Sequence, residues 1–183
     1  MLRPALALLA LALTLPALAE ELRVPLPGRD DLVIDLPAQW RAQVRRPHAA
    51  LPPSVAISGP DANALQMILT PIWPAGSAPK APTADELRAQ VQAGAAQAKP
   101  RAVEAELPLK DLGTSGKTGY YFSATDRAPE PGGYKYLTQG VLGMNELRVA
   151  FTVLANGQPQ EPTTAQALEL LRSMRRAPAN TAP

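Results

Sequence analysis

Cysteine is absent from this chain, and histidine occurs once, at His48. Without cysteine there is no disulfide framework and no thiolate for zinc. There is also no thiol to acylate, so the chain is not a lipoprotein. One imidazole makes a zinc site improbable, and any Ser–His–acid triad would have to use His48. Aromatic residues are few: two Trp, four Tyr and two Phe in 183 residues. Charge of one sign is lacking too. Lys and Arg number 18 against 16 Asp and Glu, and one of the cations is Arg3 at the extreme N-terminus. The basic isoelectric point therefore reflects a small excess, which argues against nucleic acid as a partner. The one long apolar run, Ala5 to Leu15, is too short to span a bilayer comfortably.

That run has the form of an export signal. Arg3 supplies a short positive region, and Ala17-Leu18-Ala19 places small residues where a signal peptidase reads. Cleavage is expected between Ala19 and Glu20. Residues 1–19 are thus read as a signal peptide, residues 20–176 as one α+β domain, and residues 177–183 as a flexible tail. The expected address is the periplasm or the exterior, with no transmembrane span after signal removal.

The stretch Gly119 to Gly157 holds six of the eight aromatic residues and reads as three consecutive antiparallel strands. Tyr120, Phe122 and Ala124 alternate with Tyr121, Ser123 and Thr125, the period of two that sends successive side chains to opposite faces. Leu147, Val149, Phe151 and Val153 alternate in the same way. Between them Tyr134 to Leu142 puts Tyr134, Tyr136 and Thr138 on one face. Further strands are expected at Leu22–Leu26, Leu32–Leu36, Trp40–Arg46, Ser54–Ser58, Leu65–Ile72 and Arg101–Leu107. Two amphipathic helices flank the meander. The first opens with a capping box, Thr83 to Glu86, and carries Leu87, Val91, Ala95 and Ala98 on one stripe. The second is expected to start with a box at Thr163 to Gln166, with Arg172, Arg175 and Arg176 in its last turn. The fold class is an antiparallel sheet with two main helices packed against it.

A strand ending in Leu36-Pro37 and followed by Trp40 resembles the LPxxW opening of PsbP-like and DcrB-like proteins. The order that follows is similar: strands, a helix, Gly119-Tyr120-Tyr121, Gly140, Val149 to Leu154, and a final helix. The resemblance covers about Leu32 to Arg176 and implies an α/β sandwich. Members of that family mostly bind rather than catalyse, and many are bacterial proteins of unknown role. DcrB-like members are often lipoproteins, from which this chain departs.

Motifs for catalysis are weak. Gly113-Thr-Ser-Gly-Lys-Thr118 imitates a phosphate loop, but Asp111 stands at the first glycine's place and a strand follows instead of a helix. Ser115 lacks the G-x-S-x-G elbow, because Lys117 replaces the last glycine. Asp30, Asp31 and Asp35 could in principle ligate calcium, with nothing further in support. No catalytic, cofactor-binding or metal-binding residue is assigned. The binding candidates are Trp40 with Arg41, Arg45, Arg46 and His48, a local basic patch suited to an anionic surface, and Tyr120, Tyr134 and Tyr136, since tyrosine is favoured at interfaces. The expectation is a non-enzymatic module that contacts another envelope protein. The alternatives are a small-molecule or lipid carrier with an apolar cleft, and a weak hydrolase using Ser115 or His48.

Overall fold

The computed structural model describes residues 20–46, 48, 51–74, 80–158 and 161–179. The signal segment lies outside them. Ten strands and two α-helices follow in the order β1 (Glu20–Val24), β2 (Asp31–Leu36), β3 (Arg41–Arg45), β4 (Ser54–Ser58), β5 (Leu65–Ile72), α1 (Ala84–Ala98), β6 (Lys110–Asp111), β7 (Thr118–Thr125), β8 (Tyr136–Met144), β9 (Leu147–Ala155), α2 (Pro162–Ser173) and β10 (Arg175–Ala177). The α+β class read from periodicity is the class observed. The strands form two sheets: a seven-stranded sheet in the order β3-β4-β5-β9-β8-β7-β6, and a three-stranded sheet in the order β1-β2-β10. Every pairing is antiparallel.

The main core lies between the two sheets, with α2 closing it. Leu32, Ile34 and Leu36 of β2 meet Val55, Ile57, Met67, Leu69, Val149, Phe151 and Val153 of the large sheet, and α2 adds Ala167, Leu170 and Leu171. A second, smaller core forms on the opposite face of the large sheet. There α1 seats Leu87, Val91 and Ala95 on Phe122, Ala124 and Val141 of β7 and β8. The capping box at the start of α1 is present: Glu86 N–H donates to Thr83 Oγ1 at 3.2 Å, and Thr83 N–H donates to Glu86 Oε2 at 2.8 Å.

Four expectations are corrected. Residues 101–107 do not form a strand. A 3-10 turn at Lys99–Arg101 carries the chain past α1, and only Ala102 bridges to Asp126. Glu104 instead turns its carboxylate onto Thr125, accepting from its N–H at 2.9 Å and its hydroxyl at 2.7 Å. The second capping box is absent, because α2 begins upstream with Pro162 at its first position, where a fixed φ and a missing N–H suit the helix start. Arg175 and Arg176 are not in a helical turn. Met174 leaves helical geometry (φ −51°, ψ 138°), and the chain enters β10. Ala177, assigned to the tail, pairs with Asp31, so the ordered sheet extends past residue 176. Two boundaries also shift: the first strand ends at Val24, before Pro25, and the central meander strand starts at Tyr136, leaving Tyr134 in the preceding connection.

The carbonyls at the end of α2 are met by Lys117. Its ammonium donates to the carbonyls of Arg172 and Met174, the latter at 2.9 Å. Burial pushes this lysine's pKa below its ordinary value.

Candidate functional site

The large sheet has an inner face, filled by the main core, and an outer face. Register fixes which residues look outward. On β3 these are Arg41, Gln43 and Arg45, opposite Ser58, Ala56 and Ser54 of β4. On β5 and β9 they are Gln66, Ile68, Thr70 and Ile72, opposite Leu154, Thr152, Ala150 and Arg148. On β8 and β7 they are Leu137, Gln139 and Val141, beside Ala124, Phe122 and Tyr120. Helix α1 covers only the β7–β8 end. Among the described residues no helix covers β3, β4, β5 and β9 on this side. Ile68 is 37% exposed there, and Ala56, Thr70, Thr152 and Leu154 are part-exposed.

Where α1 meets the uncovered strip, two shallow grooves lie against the helix. One, of about 140 Å³, is lined by Gln90, Val91 and Gly94 of α1 and by Ile68, Thr70, Gln139 and Thr152 of the sheet. The other, of about 190 Å³, lies at the end of α1 between Ala98, Leu137, Leu154 and Tyr134. Both fall short of the few hundred cubic ångströms of a typical small-molecule pocket.

The charges on the two sheets are handled differently. On the outside of the small sheet, Arg175 donates to Asp35 and to Glu21, both at 2.6 Å. Arg23 meets Glu21 at 2.7 Å and Asp31 at 3.8 Å. The hydrogen bond to Asp35 holds the Arg175 guanidinium above its ordinary pKa. On the outer face of β3, β4, β5 and β9 no carboxylate stands; Asp111, opposite Tyr120, is on β6 at the far edge. Arg45 donates only to Gln43, at 2.9 and 3.1 Å. Among the described residues, no carboxylate reaches Arg41, Arg45 or Arg148.

The predicted binding residues therefore separate. Arg41 and Arg45 belong to the uncovered face. Trp40 is 5% exposed and sits in the main core, because residues 40, 42 and 44 share the inward parity of β3. Arg46 turns away to donate to the Pro25 carbonyl, and His48 is exposed in the following connection. Tyr120 is on the outer face but sits beneath Arg88, whose guanidinium carbon is 4.9 Å from the ring and which donates to the phenol oxygen at 3.3 Å. Tyr134 donates to the Ala62 carbonyl at 2.8 Å, and Tyr136 packs on the main core. What the sequence reading missed is the uncovered strip itself, and Arg148 within it. The inward–outward parity of β3, Trp40, Ala42 and Val44 against Arg41, Gln43 and Arg45, was a signal that could have separated the tryptophan from the arginines.

Ser115 and His48 are not brought together. Ser115 is at the tip of the β6–β7 hairpin, and His48 follows β3. These are the two edges of a sheet whose strands are about 4.8 Å apart, six steps, or on the order of 25–30 Å. Asp30, Asp31 and Asp35 are each met by an arginine, and no group of potential metal ligands occurs among the described residues. No described helix is long and apolar enough to cross a membrane. No family model matches the chain, and no curated protein matches it.

Proposed function

We propose that this chain is an exported, non-enzymatic binding module that presents the uncovered half of its large sheet to another envelope protein. One observation carries the reading. A sheet face with apolar content needs a covering layer, yet α1 covers only two of the strands on this side, and the remainder carries arginines without carboxylate partners. The chain satisfies its charges closely elsewhere, as on the small sheet, so the contrast marks a surface suited to a partner. Export rests on the leader pattern, and cleavage after Ala19 would leave β1, which starts at Glu20, whole. Kinship with the PsbP-like and DcrB-like proteins is part of the proposal and rests on the order of motifs alone. The carrier reading is less well supported, because the two grooves between α1 and the uncovered strip are small.

The test is site-specific photo-crosslinking in the native host. A photoreactive residue at Gln66 or Thr152 should capture one envelope protein. The same residue at Glu106 or Ala128, exposed positions away from the strip, should not. Capture from neither set, or equally from both, overturns the proposal.

A further inference from the structure

We infer that the occupant of the uncovered strip is an acidic amphipathic helix of the partner protein, lying on the sheet beside α1. This rests on the binding-module reading and adds the chemistry and shape of the partner. Four strands, β3, β4, β5 and β9, are uncovered by any described helix, at about 4.8 Å spacing, a strip roughly 15–20 Å across. A helix with its side chains is about 10–12 Å wide, so one helix fits and leaves a margin at β3. The protein already shows how a helix seats on this sheet: α1 lays a stripe at every fourth residue, Leu87, Val91 and Ala95, on outward-facing apolar side chains. The bare strip offers the same kind of floor in Ile68, Ala150 and Leu154. The wall that α1 turns to it is low, with Gly94 and Ala98 at its grooves, which permits close approach of a second helix.

Charge selects the partner. Arg41 and Arg45 stand four residues apart on β3, about 13 Å along one side of the strip, and Arg148 stands on β9. No residue of these four strands is acidic. A helix with apolar residues on one stripe and carboxylates along its flanks meets both the floor and the arginines. A second copy of this chain, face to face, would set arginine against arginine. The chain's own residues outside the described ones, 1–19, 47, 49–50, 75–79, 159–160 and 180–183, contain no Asp or Glu to supply the complement.

The experiment uses the mature protein and two synthetic peptides of about 18 residues, about 27 Å long as helices. Both are held helical by side-chain staples and share a Leu/Ala stripe; one has Glu flanks, the other Lys flanks. Fluorescence anisotropy should show binding of the Glu peptide, weakened by salt, and none of the Lys peptide. R41E/R45E, two exposed positions of which Arg45 bonds only to its neighbour Gln43, should weaken the Glu peptide by about tenfold or more, and Lys110→Glu on the opposite edge strand should not. Three results overturn the inference: no binding of the Glu peptide, equal binding to R41E/R45E, or equal binding of unstructured polyglutamate, which would make the strip a general polyanion surface. If the photo-crosslink from Thr152 persists unchanged in R41E/R45E, the acidic helix fails while the binding face stands. If the crosslink itself is absent, the face fails.

Discussion

At the scale of single residues, two backbone positions and two carboxylates set measurable limits. Gln39 has φ 70° at the third position of a turn closed by Trp40 N–H to the Pro37 carbonyl, a place that favours glycine. Gln39→Gly should raise stability by about 1 kcal/mol, read as a higher denaturant midpoint at unchanged slope. Gly140 is the reverse case. A Cβ there would stand 2.2 Å from the Tyr120 carbonyl oxygen and 2.6 Å from the Phe151 ring, so Gly140→Ala should destabilise by roughly 3 kcal/mol or more. Glu146 accepts from Arg176, and this bond first, then its own backbone N–H, holds its carboxyl below the usual 4.5 against the opposing cost of burial. Burial also opposes ionisation of Glu104, but hydrogen bonds from Thr125 prevail and its pKa is lowered as well. A carboxylate with a depressed folded pKa contributes stability that is present above its unfolded pKa and lost as pH falls through the folded one. Unfolding free energy should therefore decline from about pH 4.5 downward, and Glu146→Gln should reduce both the neutral-pH stability and the steepness of that decline.

At the scale of elements, the strands were largely legible and the helix ends were not. Strands β2, β4, β5, β7 and β9 were placed within a residue or two, and each has at least one face in a core. Residues 101–107 alternate as well, and Val103 and Ala105 suggested a strand. Their backbone has no ladder partner beyond Ala102, and Val103 ends 58% exposed. The start of α2 was misplaced because Pro162 fits a helix start better than the hydroxyl cap expected at Thr163. The first helix was readable because its box is complete in sequence and in space. Thr83→Ala should cost about 1 kcal/mol, since it removes the acceptor for Glu86 N–H; thermal unfolding followed by circular dichroism measures it. Arg175 and Arg176 looked like helix-end cations because the ending at Ser173 depends on Lys117, more than fifty residues earlier in the chain.

At the scale of the whole molecule, sheet order was beyond local reading. Periodicity says which side chains share a face, but not that β5 would pair with β9 across the α1 excursion, nor that β3 would lie at one edge and β6 at the other. That order decides which strands α1 can cover and which it leaves bare. The basic segment was visible in the sequence and its outward arginines are on the bare face. The tryptophan beside them is in the core. Removal of residues from Arg175 onward should expose one edge of β2 and uncouple Asp35 and Glu21 from their guanidinium. The shortened chain should unfold at lower temperature and associate at its freed edge, seen by size-exclusion chromatography.

The small sheet joins a strand from near the beginning of the fold to the final one: β2 holds β1 on one side and β10 on the other. A polypeptide emerging N-terminus first from a ribosome can form the β1–β2 hairpin early. Its other flank has no mate until Ala177 has emerged. Closure of the two layers is therefore tied to the arrival of β10. Partly emerged forms lack β10, and the two layers lock only when that strand arrives.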